Sequence, residues 1–199
     1  MENSFLELLS KRHSFYNINR NLPLSEDEIS SLIFEAVKLY PSPFNSQSSR
    51  LLVLFADKHH HFWHIVEQKL LVSSPSNKEI AIKQRMLSFA QGAGTILYFI
   101  DKDIIREQEK EMPLYAANFK NWAYQSSAML QFMIWSTLAN KDIGASLQHY
   151  NPLIDTLVQK EFVISDSWEL VAQMPFGGIN SIPQPHTFED IANKIIIQK

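Results

Sequence analysis

Tyr40-Pro41-Ser42-Pro43-Phe44-Asn45-Ser46-Gln47-Ser48-Ser49-Arg50 is the stretch on which the reading of this chain turns. An amphipathic segment leads into it, and the apolar run Leu51 to Phe55 leaves it. Pro41 and Pro43 each remove an N–H and restrict the residue before them, so a helix must stop ahead of the stretch. Two amides, four serines and an arginine directly before a buried strand admit two readings. In the first, the amides and hydroxyls bond their own backbone in a capped turn. In the second, a stiff loop presents Asn45 and Gln47 to a planar heterocycle, each offering one carbonyl and one NH2.

Upstream, Ser25-Glu26-Asp27-Glu28 is a capping box. Ile29, Leu32, Ile33, Ala36, Val37 and Tyr40 follow at helical spacing. Nearer the start, Phe5, Leu6, Leu8 and Leu9 predict a short helix that ends near Lys11-Arg12. The polar break Arg12-His13-Ser14-Phe15-Tyr16 comes next. A guanidinium beside a hydroxyl can grip a phosphate in a fixed fork. Alternatively, the cations complement a helix C-terminus.

Downstream, Leu51 to Phe55 is uniformly apolar, as in a strand covered on both faces. His59, His60, His61 and His64 invite a metal reading. No carboxylate completes a zinc motif, so the expectation is a solvated helix start and no metal site. Ser76 to Glu79 reads as a second capping box for a helix through Ile80, Met86, Leu87 and Phe89. Gln91-Gly92-Ala93-Gly94 follows a helix and precedes a strand, Thr95 to Ile100. That order is the reverse of a dinucleotide fingerprint, and the stretch is read as a turn. A charged helix is expected over Asp103 to Glu111, ended by Pro113. The longest helix is expected over Phe119 to Asn140. Met129, Phe132, Met133 and Trp135 make it apolar on most sides, which calls for cover from the whole fold or from a second subunit. Gly144 to Tyr150 reads as a strand or tight loop, and Asn151-Pro152 opens a short helix. A strand over Trp168 to Met174 is expected to stop at Pro175 to Gly178. Pro183 and Pro185 lead an extended tail, and Ile195-Ile196-Ile197 is strand-like and in need of a partner edge.

These 199 residues fit a single domain, 1–199, without repeats or linker. A net charge of −3 with no basic block gives no electrostatic footprint for nucleic acid. There is no cysteine, so disulfides, thiolate metal sites and thiol nucleophiles are excluded. No apolar run approaches the ~18 residues of a membrane span, no leader with a basic n-region is seen, and a cytoplasmic location is expected. Twelve percent aromatic residues leave ring surface for a flat ligand.

Taken in order, the chain resembles the flavin-dependent nitroreductase family, in particular the short branch typified by the yeast fatty-acid-repression protein. The resemblance rests on Arg12-His13-Ser14, on Pro43 to Arg50 and on Gln125-Ser126-Ser127. It rests equally on Gly144 to Pro152 and on Ala172 to Gly177. It implies an α+β fold with a central, mostly antiparallel sheet flanked by helices and a long helix at a dimer interface. It further implies a homodimer with FMN at that interface. Hydride would pass from NADH or NADPH to a nitroaromatic, quinone or similar acceptor in a ping-pong cycle. The cofactor-binding residues implied are Arg12, His13, Ser14, Asn45, Ser46, Gln47, Arg50, Leu147, Gln148 and His149. No side chain is implied to be catalytic, because the chemistry would sit at flavin N5. Tyr115, Trp122 and Tyr124 are candidates to contact the acceptor. The alternative is a flavin-binding regulatory or storage protein. Tyr16 stands where many members carry a lysine near flavin N1. Between Gly178 and Lys194 the chain offers only His186 where many carry a basic residue toward the phosphate.

Overall fold

The computed structural model describes residues 4–183 and 190–199; His186 and Pro185 lie outside the described residues. Among the described residues, seven α-helices surround a five-stranded antiparallel sheet in an α+β arrangement. In chain order these are α1 (Ser4–Lys11), β1 (Ile18–Asn19), α2 (Glu26–Leu39), β2 (Ser49–Phe55), α3 (Ala56–Ser73) and α4 (Glu79–Ala90). Then come β3 (Gly94–Asp101), α5 (Lys102–Glu111), α6 (Ala116–Ala139), β4 (Ile143–Ala145), α7 (Asp155–Glu161) and β5 (Trp168–Ile179). The strands lie in the order β1-β5-β3-β2, with β4 also paired to β5.

Strand alternation sorts apolar side chains into two cores. Ile96, Tyr98, Ala172, Met174 and Phe176 face α2 and α6, where they meet Ile29, Ile33, Leu130, Ile134 and Leu138. Leu97, Phe99 and Leu170 face the other way, onto Phe62, Trp63, Val66, Met86 and Phe89. β2 divides in the same way, Leu51, Val53 and Phe55 packing on the first core and Leu52 and Leu54 on the second. It is therefore covered on both faces, yet it is also an edge strand, pairing with β3 alone.

The capping box at α2 forms in full: Ser25 Oγ accepts from the Glu28 N–H, and Glu28 accepts from the Ser25 N–H. The second predicted box does not. Ser76–Lys78 is a 3-10 turn, and α4 starts without a side-chain cap. Backbone bonding such as Lys78 N–H to the Pro75 carbonyl, 3.0 Å, takes over the first turn. β5 also departs from expectation, for it continues through Pro175, Gly177 and Gly178. Pro175 turns its carbonyl toward Ser146 N–H, 3.3 Å, where the chain has left β4 and the ladder needs no donor from it. Gly177 is required there, since a Cβ would lie 2.2 Å from the Asn19 carbonyl oxygen.

His59 corrects the picture of a solvated helix start. It is buried on α3, while His60, His61 and His64 face outward. No cluster of three or more potential metal ligands occurs among the described residues. Ile195, Ile196 and Ile197 follow a 3-10 turn, lie outside any strand of this chain and are exposed. No helix among the described residues is long and apolar enough to cross a membrane.

Candidate functional site

Arg12 follows the last residue of α1, its N–H bonded to the Leu9 carbonyl at 3.3 Å. Ser14 then pairs in parallel with Ala145, and Phe15 N–H donates to the Ala145 carbonyl at 2.9 Å. This tie places Arg12, His13 and Ser14 beside the segment after β4. That segment is sewn to β5: Gln148 N–H donates to the Gln173 carbonyl at 2.7 Å and Gln173 N–H returns the bond at 2.9 Å. Buried Gln173 also accepts from Tyr150 N–H through its side chain. Because bonding alternates along an antiparallel pair, the N–H groups of Leu147 and His149 point away from β5. The side chain of Leu147 packs on the first core, and His149 is exposed.

The guanidinium of Arg12 lies over the Trp135 ring, its carbon 4.4 Å from the centroid. Arg12 is half-buried, and among the described residues its side chain has no ion pair or hydrogen bond. Arg85 of α4 stands 5.1 Å over the ring of Tyr16, on the side of the second core. Burial pushes the nearby Tyr150 hydroxyl up to about 12, against the opposing pull of Arg85. Trp135 and Arg85 were missed at sequence level. A tryptophan on an apolar helix face and an arginine on a surface helix carry no pattern of their own.

The second group of site residues lies on the loop before β2. Pro43–Asn45 is a 3-10 turn, and Phe44, Asn45 and Gln47 all hold positive φ, 51°, 53° and 46°. Three such residues among four, one of them aromatic, are strained, and strain of this kind gathers at functional loops. Gln47 N–H donates to Ser42 Oγ at 3.0 Å, and Gln47 Nε2 donates to Asn45 Oδ1 at 3.0 Å. The amides thus brace one another and leave Asn45 Nδ2 and Gln47 Oε1 facing outward as one donor and one acceptor. These bonds within the loop match the capped-turn reading. Ser46 is half-buried between them. Arg50 is engaged locally: it donates to the Gln47 and Ser49 carbonyls and pairs with Asp101 at 3.2 Å.

Phe44 projects from this loop onto a ring cluster, with centroids 5.9 Å from Tyr115, 5.9 Å from Phe119 and 6.0 Å from Trp122. Tyr115 and Trp122 therefore share one aromatic patch. Tyr124 is turned elsewhere, its hydroxyl bonded to Glu169, and burial together with that carboxylate raises its pKa.

The two groups do not meet within one chain. The Arg12 group sits at Trp135 and the Asn45 group at Trp122, thirteen residues apart on the unbroken helix α6, about 20 Å along its axis. Between them α6 exposes Met129 and Phe132, 40% and 42% accessible.

The nitroreductase family model matches residues 9–178. This chain belongs to the nitroreductase family. Its activity class is accordingly that of an oxidoreductase. Among curated relatives, the nitroreductase FRM2 of Saccharomyces cerevisiae is 24% identical over 187 residues, 93% of each chain. The nitroreductase CinD of Lactococcus lactis is 36% identical, with a TM-score of 0.92 over 98% of this chain and 100% of the other. CinD has been solved with nicotinic acid, with chloramphenicol and with 4-nitrophenol. A nitroreductase of Desulfitobacterium hafniense solved with bound FMN shares the fold at 19% identity, with a TM-score of 0.74 over the whole of both chains.

Proposed function

We propose that this nitroreductase-family chain is an FMN-dependent oxidoreductase that takes hydride from NADH or NADPH and gives it to nitroaromatics, quinones or similar flat acceptors in a ping-pong cycle. One observation carries the reading: a half-buried guanidinium, Arg12, has no anionic partner among the described residues and stands two positions before Ser14, which pairs with Ala145 at the end of β4. A cation so placed favours a dianionic phosphate, which a charge-assisted fork would hold. The donor set fits FMN. Arg12, His13 and Ser14 would hold the phosphate, the backbone of Leu147 to His149 would flank the ring, and Asn45, Ser46 and Gln47 would address its polar edge. When bound, FMN supplies the hydride-carrying ring.

The chain's own work is to bind, orient and cover. Asn45 and Gln47 are pre-set by their mutual bond, so less ordering entropy is lost when a ligand engages the remaining donor and acceptor. Arg50 stiffens the same loop from below. Tyr115, Trp122 and Phe44 offer a flat apolar wall for an aromatic acceptor. Tyr124, held by Glu169, would serve at its margin.

The separation of the two residue groups supports a homodimer. A two-fold axis through the face of Met129 and Phe132 would lay α6 antiparallel on its copy. It would bring Arg12 of one chain to Asn45 and Gln47 of the other, closing two equal sites. That 4-nitrophenol and chloramphenicol, both nitroaromatics, occupy CinD supports the acceptor class.

The test is direct. Purified protein loaded with FMN is mixed anaerobically with NADH or NADPH. Bleaching of the flavin band, restored by 4-nitrophenol or a quinone, is the expected result. Flavin that binds tightly but is bleached by neither nucleotide would establish the regulatory or storage alternative instead, and colourless protein that takes up no flavin would overturn both.

A further inference from the structure

We propose that Trp135 is a positioning residue that aims Arg12 at the flavin phosphate; this rests on the reading of Arg12 and Ser14 as the phosphate grip. Arginine carries many rotamers, and ordering it costs entropy unless something holds it. Arg12 has no carboxylate or carbonyl to do so among the described residues, and its side chain rests instead on the face of Trp135, 4.4 Å from the ring centroid. A guanidinium held over a ring face spends none of its five N–H groups on a hydrogen-bond acceptor, so they stay available to a ligand. A carboxylate partner would have consumed those donors. The ring is itself fixed, because its neighbours on α6, Ile134 and Leu138, are locked in the first core.

A second property of Trp135 points the same way. Its Nε1 is buried and has no hydrogen-bond partner among the described residues. Stranding a donor disfavours tryptophan where a phenylalanine would fill the space without it. What the indole offers in return is the best face for a cation. The donor is shielded from any ligand, so Trp135 acts on the phosphate through Arg12 and does not touch it. This arrangement also accounts for a phosphate grip in a chain whose described residues beyond Gly178 include no arginine, and only Lys194 and Lys199 as cations.

The experiment compares FMN with riboflavin, which lacks the phosphate, by quenching of flavin fluorescence in wild type, Trp135→Leu, Trp135→Phe, Arg12→Ala and the Arg12→Ala/Trp135→Leu double variant. Wild type binds FMN more tightly than riboflavin. Trp135→Leu loses about tenfold in FMN affinity and leaves riboflavin unchanged. Trp135→Phe, which keeps a smaller face and removes the stranded donor, falls between while its unfolding temperature does not drop. Arg12→Ala removes the preference for FMN, and adding Trp135→Leu to it costs nothing more, because the two act as one unit. Equal losses for FMN and riboflavin in both Trp135 variants would reduce Trp135 to packing and overturn the proposal. So would a full FMN preference in Trp135→Leu, or losses that add in the double variant. A wild type that binds both flavins equally would overturn the phosphate reading of Arg12 itself, and this proposal with it.

Discussion

His59 is neutral in the folded chain because its two ring nitrogens already have opposite roles. Nε2 lies 3.2 Å from the Ala90 carbonyl, which only accepts, so it carries the proton. Nδ1, 2.8 Å from Thr95 Oγ1, then accepts from that hydroxyl, which in turn accepts from Trp63 Nε1 at 2.8 Å. Burial, helped by neighbouring His60, lowers its pKa from 6.5 to about 4. The sign follows from linkage. Above pH 6.5 neither state is charged, and His59 adds no pH dependence. Between 6.5 and 4 the unfolded chain binds the proton and the folded chain does not, so stability falls as pH falls. From pH 7 to 5 the loss attributable to this one ring is about 2 kcal/mol. Urea unfolding of wild type and His59→Asn at both pH values checks it: the wild type loses more by that amount, and equal losses would contradict the assignment.

Two helices carry the same capping motif, and only one uses it. At α2, Ser25 and Glu28 exchange both bonds, and the Ser25 bonds hold the Glu28 carboxyl below its ordinary range. At α4, Pro75 and the 3-10 turn over Ser76–Lys78 supply the first turn from the backbone. Ser25→Ala is therefore expected to cost about 1 kcal/mol. Ser76→Ala should stay within about 0.5 kcal/mol, as for an ordinary surface change. Chemical denaturation of both variants distinguishes them, and similar costs would mean the α4 motif is formed in solution. The loop before β2 follows the same rule at higher stakes. Its three positive-φ residues persist because Ser42, Arg50 and the Phe44 ring contacts hold them from three sides.

Across the whole molecule, three exposed apolar features lack cover: the α6 face of Met129 and Phe132, the edge of β2, and the terminal isoleucines. Along β2 runs a cleft of about 420 Å3, lined by Ile33, Phe34, Val37, Leu51, Val53 and Trp168 among others. A second copy can satisfy all three at once, with α6 against α6 and Ile195 to Ile197 laid along the partner's edge strand. Light scattering is expected to give twice the 23.0 kDa chain mass. Phe132→Lys should yield monomer with weakened flavin binding, and deletion of residues Ile195 to Lys199 should lower flavin affinity, because a site completed by two chains would link assembly to cofactor binding. A monomer that still binds FMN tightly would rule this assembly out.

Most of the helices, the α2 capping box and the two-sided apolar pattern of β2 were legible in the sequence, because each rests on local spacing or on adjacent residues; β1 was not, and the strand expected at Ile195 to Ile197 is not part of this chain's sheet. That Asn45 and Gln47 share one stiff loop was legible too, whereas their bond to each other came from the positive-φ backbone that turns them together. Four things were decided only in three dimensions. β5 runs through Pro175 and two glycines because β4 and β1 close on it, which no turn rule within the strand can see. His59 alone among its neighbours turns inward because Thr95 and Ala90, more than thirty residues away, offer it partners. Arg12 meets Trp135 because α1 returns to the far end of α6. Finally, residues that form one list along the chain fall into two groups about 20 Å apart. Sequence order carries no distance, and the length of a rigid helix sets this one.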